Sequence, residues 1–104
     1  MSLPDELAAC TGFQWDDGNS EKNWETHQVS RLEAEQVFFN RPILLFPDAK
    51  HSQTEPRFAV LGQTNVARLL TVVFTIRGKL VRVIMARDMH RRERSFYEQA
   101  PQQT

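Results

Sequence analysis

The sequence predicts an α+β fold with a mostly antiparallel sheet, two N-terminal helices and one C-terminal helix. Three observations support this class. Segments rich in β-branched and aromatic residues follow one another between residues 57 and 87, as consecutive antiparallel strands do. Two segments with helical capping or periodicity precede them, and a third follows. A chain of 104 residues closes a single core, so we expect one α+β domain.

The N-terminal third is predicted to contain a short strand and two helices. The strand is "GFQWDD", which the turn signal "DDGN" ends, and the first helix is "SEKNWETHQ", with Ser20 as its cap. The second helix lies in "VSRLEAEQVFF", where Ser30 and Glu33 form a capping box and Val29 is placed to staple onto the helix. Its apolar stripe consists of Ala34, Val37 and Phe38.

The remaining segments supply the sheet and the last helix. Pro42 ends the second helix, "ILLF" follows as a buried strand, and "PDAKHSQTEP" is an exposed loop. Three strands come next, namely "RFAVLGQT", "RLLTVVFTIR" and "KLVRVIMAR". Asp88 is placed to cap the final helix, "MHRRERSFYEQ". The apolar side of that helix consists of Met89, Phe96 and Tyr97.

The hairpin between the last two strands can be assigned a register. Gly78 is the first central residue of "RGKL", as a type II′ turn requires, so Arg77 pairs with Leu80. The next pairs are Thr75 with Arg82, Val73 with Ile84 and Thr71 with Ala86. One face then carries Thr71, Thr75, Arg77 and Arg82, and the apolar core face carries Leu70, Val72, Phe74, Ile76, Val81, Val83 and Met85. A slip by one residue would bury Arg82 without a partner, which is costly.

We divide the chain into a flexible N-terminus (residues 1–10), a single domain (residues 11–99) and a disordered tail (residues 100–104), because the tail has no apolar anchor. Cys10 is the only cysteine, so no internal disulfide can form, and a cytoplasmic setting is expected. We expect neither a signal peptide nor a membrane span.

The formal net charge of zero conceals an uneven distribution along the sequence. Residues 1–56 carry four basic and ten acidic side chains, whereas residues 57–104 carry nine basic and three acidic ones. Eight of these nine are arginine, the cation suited to bidentate contacts with phosphate or carboxylate. Two interpretations stay open: the two halves pair with each other, as surface charges commonly do, or the arginines form a binding surface.

Arginines gathered on a sheet face and an adjoining helix favour nucleic-acid binding, because neutralisation of phosphates dominates nucleic-acid affinity. Tyr97, one helical turn beyond Arg94, either stacks on a base or lies in the core beside Phe96. The sequence contains no HExxH, no CxxC and no glycine-rich phosphate loop, so it gives no support for a metal or a nucleotide cofactor. The residues alone therefore predict an α+β domain with an arginine-rich face for RNA or DNA.

Four stretches, taken together, resemble the BrnT family. They are "FQWDDGNSEKNWETHQVSRLEAEQVF", "PDAKHSQTEPRFAVLG", "RLLTVVFTIRG" and "VRVIMARDMHRRERSFYE", and they cover residues 13–98 in order. The resemblance implies a toxin of a type II toxin–antitoxin pair with a RelE-like ribonuclease fold, which cleaves RNA and arrests translation. It also implies neutralisation by a BrnA-type antitoxin, through which alone the toxin would meet operator DNA.

Individual residues carry this resemblance. They are Trp15, Asp16, Asn23 and His27 in the opening motif, Arg57 and Phe58 after the loop, and Arg68, Arg77, Arg82, Arg87, Arg92, Glu93 and Tyr97 in the basic half. The sequence departs from the family pattern at Asn19 and Thr26, where lysine is frequent, and at Gln28, where glycine is. If either lysine serves catalysis or RNA contact, the activity is weakened here or that role passes to Lys22.

RelE-like nucleases are thought to work without a metal: the 2′-hydroxyl of RNA attacks the neighbouring phosphate while cationic side chains stabilise the developing charge. We expect Arg77, Arg87 and then Arg57 to stabilise the phosphate and His27 to carry the proton, with a capping or packing role as the alternative for His27. The expected RNA-binding residues are Arg68, Arg82, Arg91, Arg92, Arg94 and Tyr97. The alternative function is a non-catalytic module that binds nucleic acid or the antitoxin.

Overall fold

The computed structural model describes residues 3–48 and 55–101, and within them five strands form one sheet in the order β1-β5-β4-β3-β2. The elements are α1 (Leu3–Ala8), β1 (Gly12–Gln14), α2 (Asp17–His27), α3 (Arg31–Gln36), β2 (Leu44–Pro47), β3 (Phe58–Gln63), β4 (Leu69–Arg77), β5 (Leu80–Asp88) and α4 (Arg91–Glu98). Neighbouring strands are antiparallel except β1 and β5, which are parallel. The predicted α+β class and mostly antiparallel sheet are confirmed.

Helix α1 lies in the segment where the sequence predicted no element. Leu7 and Cys10 pack against the core, and the Cys10 thiol donates a hydrogen bond to the carbonyl oxygen of Glu6 (3.4 Å). Burial raises the pKa of Cys10, and the negative charge of Glu6 raises it further. The thiol therefore stays protonated at neutral pH, as expected for an idle cysteine.

Two predicted features fall largely on residues outside the described ranges. The greater part of the loop "PDAKHSQTEP", including His51, lies in residues 49–54, and the end of the predicted disordered tail lies in residues 102–104. The segments on either side of that loop, β2 and β3, pair with each other, with Pro47 opposite Phe58.

Helix α2 begins at a different cap from the one predicted. The carboxylate of Asp16, not the hydroxyl of Ser20, accepts the hydrogen bond from the backbone N–H of Asn19 (3.1 Å). A carboxylate is favoured over a hydroxyl at a helix N-terminus because it also carries the charge that the helix dipole attracts. Ser20 lies in the first turns of α2 instead, where its hydroxyl accepts a hydrogen bond from Arg31 Nε (2.7 Å).

Helix α2 ends at Gln28 in the left-handed conformation, with φ of 54°. Glycine favours this position because it has no Cβ to oppose a positive φ. Gln28, where the family resemblance predicts glycine, is therefore a residue with a Cβ in a left-handed conformation. The capping box of α3 is confirmed: the Glu33 N–H donates to Ser30 Oγ (3.2 Å), and the Ser30 N–H donates to Glu33 Oε1 (3.0 Å).

Strand β2 is an edge strand and not the buried strand that the sequence predicted. It lies at the end of the sheet, where only β3 flanks it, and its residues are half-buried or exposed, with Phe46 36% exposed. A continuous run of four apolar residues is compatible with an edge strand and with a buried strand, because its periodicity does not distinguish between them.

The core lies between one face of the sheet, the core face, and the segment formed by α3 and the 3₁₀ turn Val37–Phe39 that continues it. The buried residues on that face are Val60, Leu70, Val72, Phe74, Val81, Val83 and Ala86. Phe38 packs edge-on against Phe74, with ring centroids 5.2 Å apart. At Gly62 a Cβ would lie 2.5 Å from Val37 Cγ1, so this close approach of turn and sheet requires glycine.

The β4–β5 hairpin has the predicted register at its turn. Arg77 lies opposite Leu80 and Thr75 opposite Arg82. Gly78 has φ of 61°, as the first central residue of a primed hairpin turn requires. The part of the prediction that rested on the turn chemistry is therefore confirmed.

The register is wrong at the other end of the hairpin because of a β-bulge. Phe74 lies opposite Val83, but Val73 lies opposite Met85, so β5 holds one extra residue, Ile84, at this point. Thr71 consequently faces Arg87, where the prediction had Ala86. Ala86 is buried in the core, whereas Met85, which was predicted to lie there, is only half-buried.

Helix α2 runs beside the outer edge of β5. Strand β1 pairs with β5 only from Leu80 to Arg82, so beyond that point α2 takes the place of a strand. The side-chain oxygen of Asn23 accepts a hydrogen bond from the Ala86 N–H (2.9 Å), and its amide nitrogen donates to the carbonyl oxygen of Val29 (3.3 Å). A buried asparagine therefore satisfies the backbone at the bulged edge.

Helix α4 packs on the second face of the sheet. Met89 and Tyr97 are buried there with Leu61. Its first residue follows His90, whose N–H donates to Glu93 Oε1 (2.8 Å), so the predicted cap Asp88 is wrong. Phe96, predicted to lie on the same apolar side, is 56% exposed and contacts Phe46 across the groove beside the sheet.

Candidate RNA-binding site

The bulge in β5 decides which arginines lie together. Residues directly opposite each other in an antiparallel pair share a face, so Arg82 lies on the face of Thr75 and Arg87 on the face of Thr71. Arg82 and Arg87 are five positions apart and would lie on opposite faces of a regular strand. We call this second face the arginine face. Its hairpin residues are Thr71, Val73, Thr75, Arg77, Arg82, Met85 and Arg87.

At the helix end of the arginine face, Arg87 is held by a bidentate ion pair. Its Nη1 and Nη2 donate to the two carboxylate oxygens of Glu93 on α4 (2.7 and 3.0 Å). Glu93 Oε1 also accepts from the hydroxyl of Thr71 (3.0 Å) and from the N–H of His90. Burial opposes the charged carboxylate, yet the hydrogen bonds from Arg87, His90 and Thr71 lower the pKa of Glu93 to about 2. Arg87 therefore has a fixed orientation and a permanently charged partner.

At the hairpin end, three arginines surround one carboxylate. Arg77 donates through Nε and Nη2 to the two oxygens of Glu55 (3.2 and 2.9 Å). The hydrogen bond from Arg77 lowers the pKa of Glu55, and the positive charges of Arg77, Arg82 and Arg57 lower it further. Arg82 also lies 3.4 Å from Asp16, the cap of α2. We call Arg57, Arg77 and Arg82 the hairpin-end cluster.

Between these two ends, a cleft lines the border of α2 and β5. It has a volume of about 250 Å³ and is lined by Asn19, Lys22, Asn23, Thr26, His27, Ile84 and Met85. Asn19 and Thr26, where the family resemblance predicts lysine, thus lie in the same cleft as Lys22 and His27. An amine, an imidazole and three neutral polar side chains are therefore gathered beside the arginine face.

The structure does not bring all four predicted catalytic residues to one phosphate. Arg77 and Thr71, the residue opposite Arg87, are six steps apart along β4, which places Arg77 about 20 Å from Arg87 between Cα atoms. His27 ends α2 at the Arg87 side of the sheet, where Arg68 donates both to its carbonyl oxygen and to the carboxylate of Asp88. Arg87 and His27 thus lie toward one end of the face, and Arg57 and Arg77 lie toward the other.

Arg68 and Tyr97, two of the predicted RNA-binding residues, contact other elements of the fold. Arg68 donates to Asp88 (2.8 Å), to Glu33 (2.9 Å) and to the carbonyl oxygens of His27 and Gln28, and hydrogen bonds with Asp88 raise its pKa. This guanidinium ties β5 to the end of α2 and to α3.

Tyr97 is 5% exposed, and its hydroxyl donates to the carbonyl oxygen of Pro42 (2.6 Å). Of the two interpretations of Tyr97, its burial matches the core residue, and its ring is not accessible to a base. Phe96 is instead the exposed aromatic residue of α4.

The arginines of α4 extend the positive surface beyond the sheet. Arg91, Arg92 and Arg94 are exposed or half-exposed and form no ion pair with any residue in the described ranges. Arg92 also borders a shallow groove of about 390 Å³, which is lined by Phe46, Ala59, Leu61, Arg92, Glu93 and Phe96. This groove adjoins the ion pair of Arg87 and offers two aromatic rings beside cationic groups.

Sequence reasoning missed Glu55 and the Phe46–Phe96 pair. Glu55 lies in a polar loop, and no local pattern signals which arginines a loop carboxylate will meet. Phe46 and Phe96 are far apart in sequence, and their rings come within 5.8 Å only because α4 packs over β2 and β3. The position of Glu93 three residues after His90, the observed cap of α4, is a local signal for its hydrogen bond to the His90 N–H.

The pairing of the acidic and basic halves holds for three of the arginines, and the binding surface stays a prediction. Arg68, Arg77 and Arg82 pair with Glu33, Glu55 and Asp16 of the acidic half, whereas the α4 arginines stay outside such pairs among the described residues. In the same ranges, no three His, Cys, Asp or Glu side chains are close enough together to hold a metal ion. None of the helices described has both the length and the apolar character needed to cross a bilayer.

Comparisons with known proteins agree with this architecture. The model of a family described as the ribonuclease toxin BrnT of a type II toxin–antitoxin system matches residues 15–93. Among solved structures, the 1.1 Å crystal structure of the Brucella abortus ribonuclease toxin BrnT matches with a TM-score of 0.60 and 21% sequence identity, covering 78% of this chain and 99% of the other. That likeness shows a shared fold. No curated protein matches the sequence.

Proposed function

Because the chain belongs to the BrnT family of ribonuclease toxins, we propose that it is a metal-independent RNA endonuclease whose arginine face binds the substrate. The observation that carries this proposal is the β-bulge at Ile84. It puts Arg87 on the same face as Arg82, next to the cleft that holds Lys22 and His27. In the proposed site, Arg87 binds the phosphate and a group of this cleft exchanges protons.

The proposed reaction is attack by the 2′-oxygen of RNA on the adjacent phosphorus. A base removes the 2′-hydroxyl proton, the bond from phosphorus to the 5′-oxygen breaks, and the 5′-oxygen takes up a proton. His27 is our candidate for proton transfer, because imidazole gives and accepts protons near neutral pH. Lys22, in the same cleft, is the candidate for the cationic role that lysine has at the neighbouring family positions.

Arg87 is suited to stabilise the phosphorane that forms in this reaction. Glu93 and the carbonyl oxygen of Asp88 take up three of its five N–H groups. No described residue accepts from the remaining two, which a phosphate oxygen can occupy. Because Glu93 fixes the guanidinium before the substrate arrives, little reorganisation is required in the transition state.

In the cell, we propose that cleavage arrests translation in the cytoplasm and that a BrnA-type antitoxin neutralises the protein. The antitoxin is expected to cover the arginine face and α4, because masking these cations blocks the substrate most directly. Contact with operator DNA would then occur only through the antitoxin. A complex in which the antitoxin touches only residues 1–40 would count against this arrangement.

The first prediction tests the enzyme directly. Arg87→Ala should lower the rate of cleavage of a labelled single-stranded RNA about a hundred- to a thousandfold, the loss typical of one well-placed stabilising donor. The rate is to be measured with and without EDTA, since the proposed reaction continues when metals are chelated. Arg31→Ala is the matched control, because Arg31 pairs with Asp17 outside the arginine face.

Both variants should keep the circular dichroism spectrum of the parent protein. A folded and fully active Arg87→Ala variant would exclude a catalytic role for Arg87. A parent protein without nuclease activity would refute the proposal that the protein is an enzyme.

A non-catalytic binding module is the second candidate, and a specific observation favours it. Asn19 and Thr26 place neutral groups in the cleft where family members often carry lysine. If those lysines are required, the protein would bind RNA or the antitoxin without cleaving. Restoring them as Asn19→Lys and Thr26→Lys distinguishes the candidates: a gain of nuclease activity from an inactive parent supports the degenerate site, and equal activity supports the enzyme with Lys22.

A further inference from the structure

The two arginine groups on the sheet are too far apart to serve one phosphate. About 20 Å separates Arg77 from Arg87 along the sheet, whereas adjacent oxygens of one phosphate are bound by guanidinium groups in direct contact with it. The hairpin-end cluster therefore needs an explanation other than stabilisation of the scissile phosphate, which the proposed function assigns to the end with Arg87.

The geometry of this cluster matches that of a bound anion. The Glu55 carboxylate receives two hydrogen bonds from the fork of Arg77, the arrangement by which arginine also binds phosphate. Arg57 and Arg82 add positive charge around the same carboxylate. Beneath it, Thr75 is buried and its hydroxyl donates to the carbonyl oxygen of Pro56 (2.7 Å), which fixes the backbone next to Glu55 against β4.

We propose that the hairpin-end cluster is a distal phosphate subsite for single-stranded RNA, in which the Glu55 carboxylate occupies the phosphate position until RNA displaces it. This inference rests on the proposed function, because it assigns to the same substrate a second point of contact. The distance between the two ends of the face requires an RNA of several nucleotides to reach both. Glu55 weakens binding of shorter or non-specific polyanions, because any competing phosphate must replace an existing ion pair.

The subsite assigns different kinetic roles to the two ends. Arg77→Ala should raise KM for a long RNA and leave kcat nearly unchanged, because it contacts RNA away from the broken bond. The rise in KM should be much smaller for a dinucleotide, since a dinucleotide cannot span the face. Arg87→Ala should instead lower kcat for both substrates.

The decisive test uses binding of a non-cleavable probe, a fluorescent twelve-nucleotide RNA with 2′-O-methyl groups, measured by anisotropy over a range of salt concentrations. Glu55→Gln should bind this RNA about two- to fivefold more tightly than the parent, since RNA no longer has to displace the carboxylate from Arg77. Asp17→Asn is the matched control: it removes one negative charge from an exposed ion pair with Arg31 and should change affinity much less.

The salt dependence gives an independent readout. Each phosphate contact to a single strand contributes about −0.7 to the slope of log K against log salt, so Arg77→Ala should lower the magnitude of that slope by about this amount. Thermal unfolding of each variant serves as the folding control.

The outcomes separate the subsite from the proposed function. Equal affinities of Glu55→Gln and Asp17→Asn in a protein that cleaves RNA would overturn the subsite alone. Tighter binding by Glu55→Gln in a protein that does not cleave would support the subsite and refute the nuclease. A parent and a Glu55→Gln variant that both fail to bind RNA would overturn both.

Discussion

On the core face of the sheet, Leu70, Val72 and Phe74 are fully buried against α3 and the turn that follows it, and their positions are set by shape. On the arginine face, the same two strands carry Arg82 and Arg87, whose side chains are 17% and 18% exposed and are oriented by carboxylates from α4 and from the start of α2. Apolar contacts do not titrate with pH, whereas the ion pairs depend on pH and are screened by salt. We therefore expect the core face to be disrupted by changes in side-chain shape and the arginine face by changes in pH or salt.

The largest effect on stability is expected at Asn23, which joins α2 to the edge of β5 through uncharged hydrogen bonds. Asn23→Ala would leave the N–H of Ala86 and the carbonyl oxygen of Val29 without their partners in a buried site, at a cost of about 2–4 kcal/mol. The free energy of unfolding, measured with urea, should fall by the same amount at pH 6 and at pH 3. A loss confined to one of these pH values would show that the comparison between the faces is wrong.

A loss of similar size but with a marked pH dependence is expected at Glu93. Its pKa in the folded protein is about 2, below the ordinary value of 4.5, so its contribution to stability is fully present above pH 4.5 and is lost as the pH falls toward 2. Glu93→Gln should therefore lower the free energy of unfolding by about 2–3 kcal/mol at pH 6 and by much less near pH 2.

Urea unfolding across this pH range, with Glu21→Gln on the exposed surface of α2 as the control, measures the difference. A constant difference between parent and Glu93→Gln from pH 6 to pH 2 would argue against ionic control of the arginine face.

The smallest effect is expected at Gln28, which belongs to neither face. Gln28→Gly should raise the free energy of unfolding by about 0.5–1 kcal/mol, because glycine adopts the left-handed conformation at the end of α2 without strain. Thermal unfolding should show a higher midpoint than in the parent. Gln28→Ala is the matched control, since alanine retains the Cβ and should give no gain; equal stabilisation by both would exclude backbone strain as the cause.

The core face could be predicted from sequence because its determinants are local. The alternation in β4, the turn at Gly78 and the capping box of Ser30 and Glu33 each follow from neighbouring residues. The arginine face could be predicted only near the turn. Beyond Phe74 the register depends on the bulge, which no local pattern indicated, and with it the side on which Arg87 lies.

The candidate site was predictable by residue type but not by arrangement. Arginine content and the family resemblance identified Arg77 and Arg87, yet their separation along the sheet required the strand register. Similarly, Tyr97 and Phe96 are adjacent in sequence, and only the packing of α4 decides that the first is buried and the second exposed. Long-range contacts of this kind determine which of the candidate residues lie together in a site.

The position of α2 beside the outer edge of β5 has a consequence for how copies of this chain meet. From Val83 to Asp88 no strand of residues 3–48 or 55–101 pairs with that edge, and unpaired strand edges readily recruit another chain. With α2 in place, Asn23 engages one of the edge N–H groups and the helix shields the rest. Detachment of α2 alone, without unfolding of the hairpin, would expose a template for strand-to-strand aggregation.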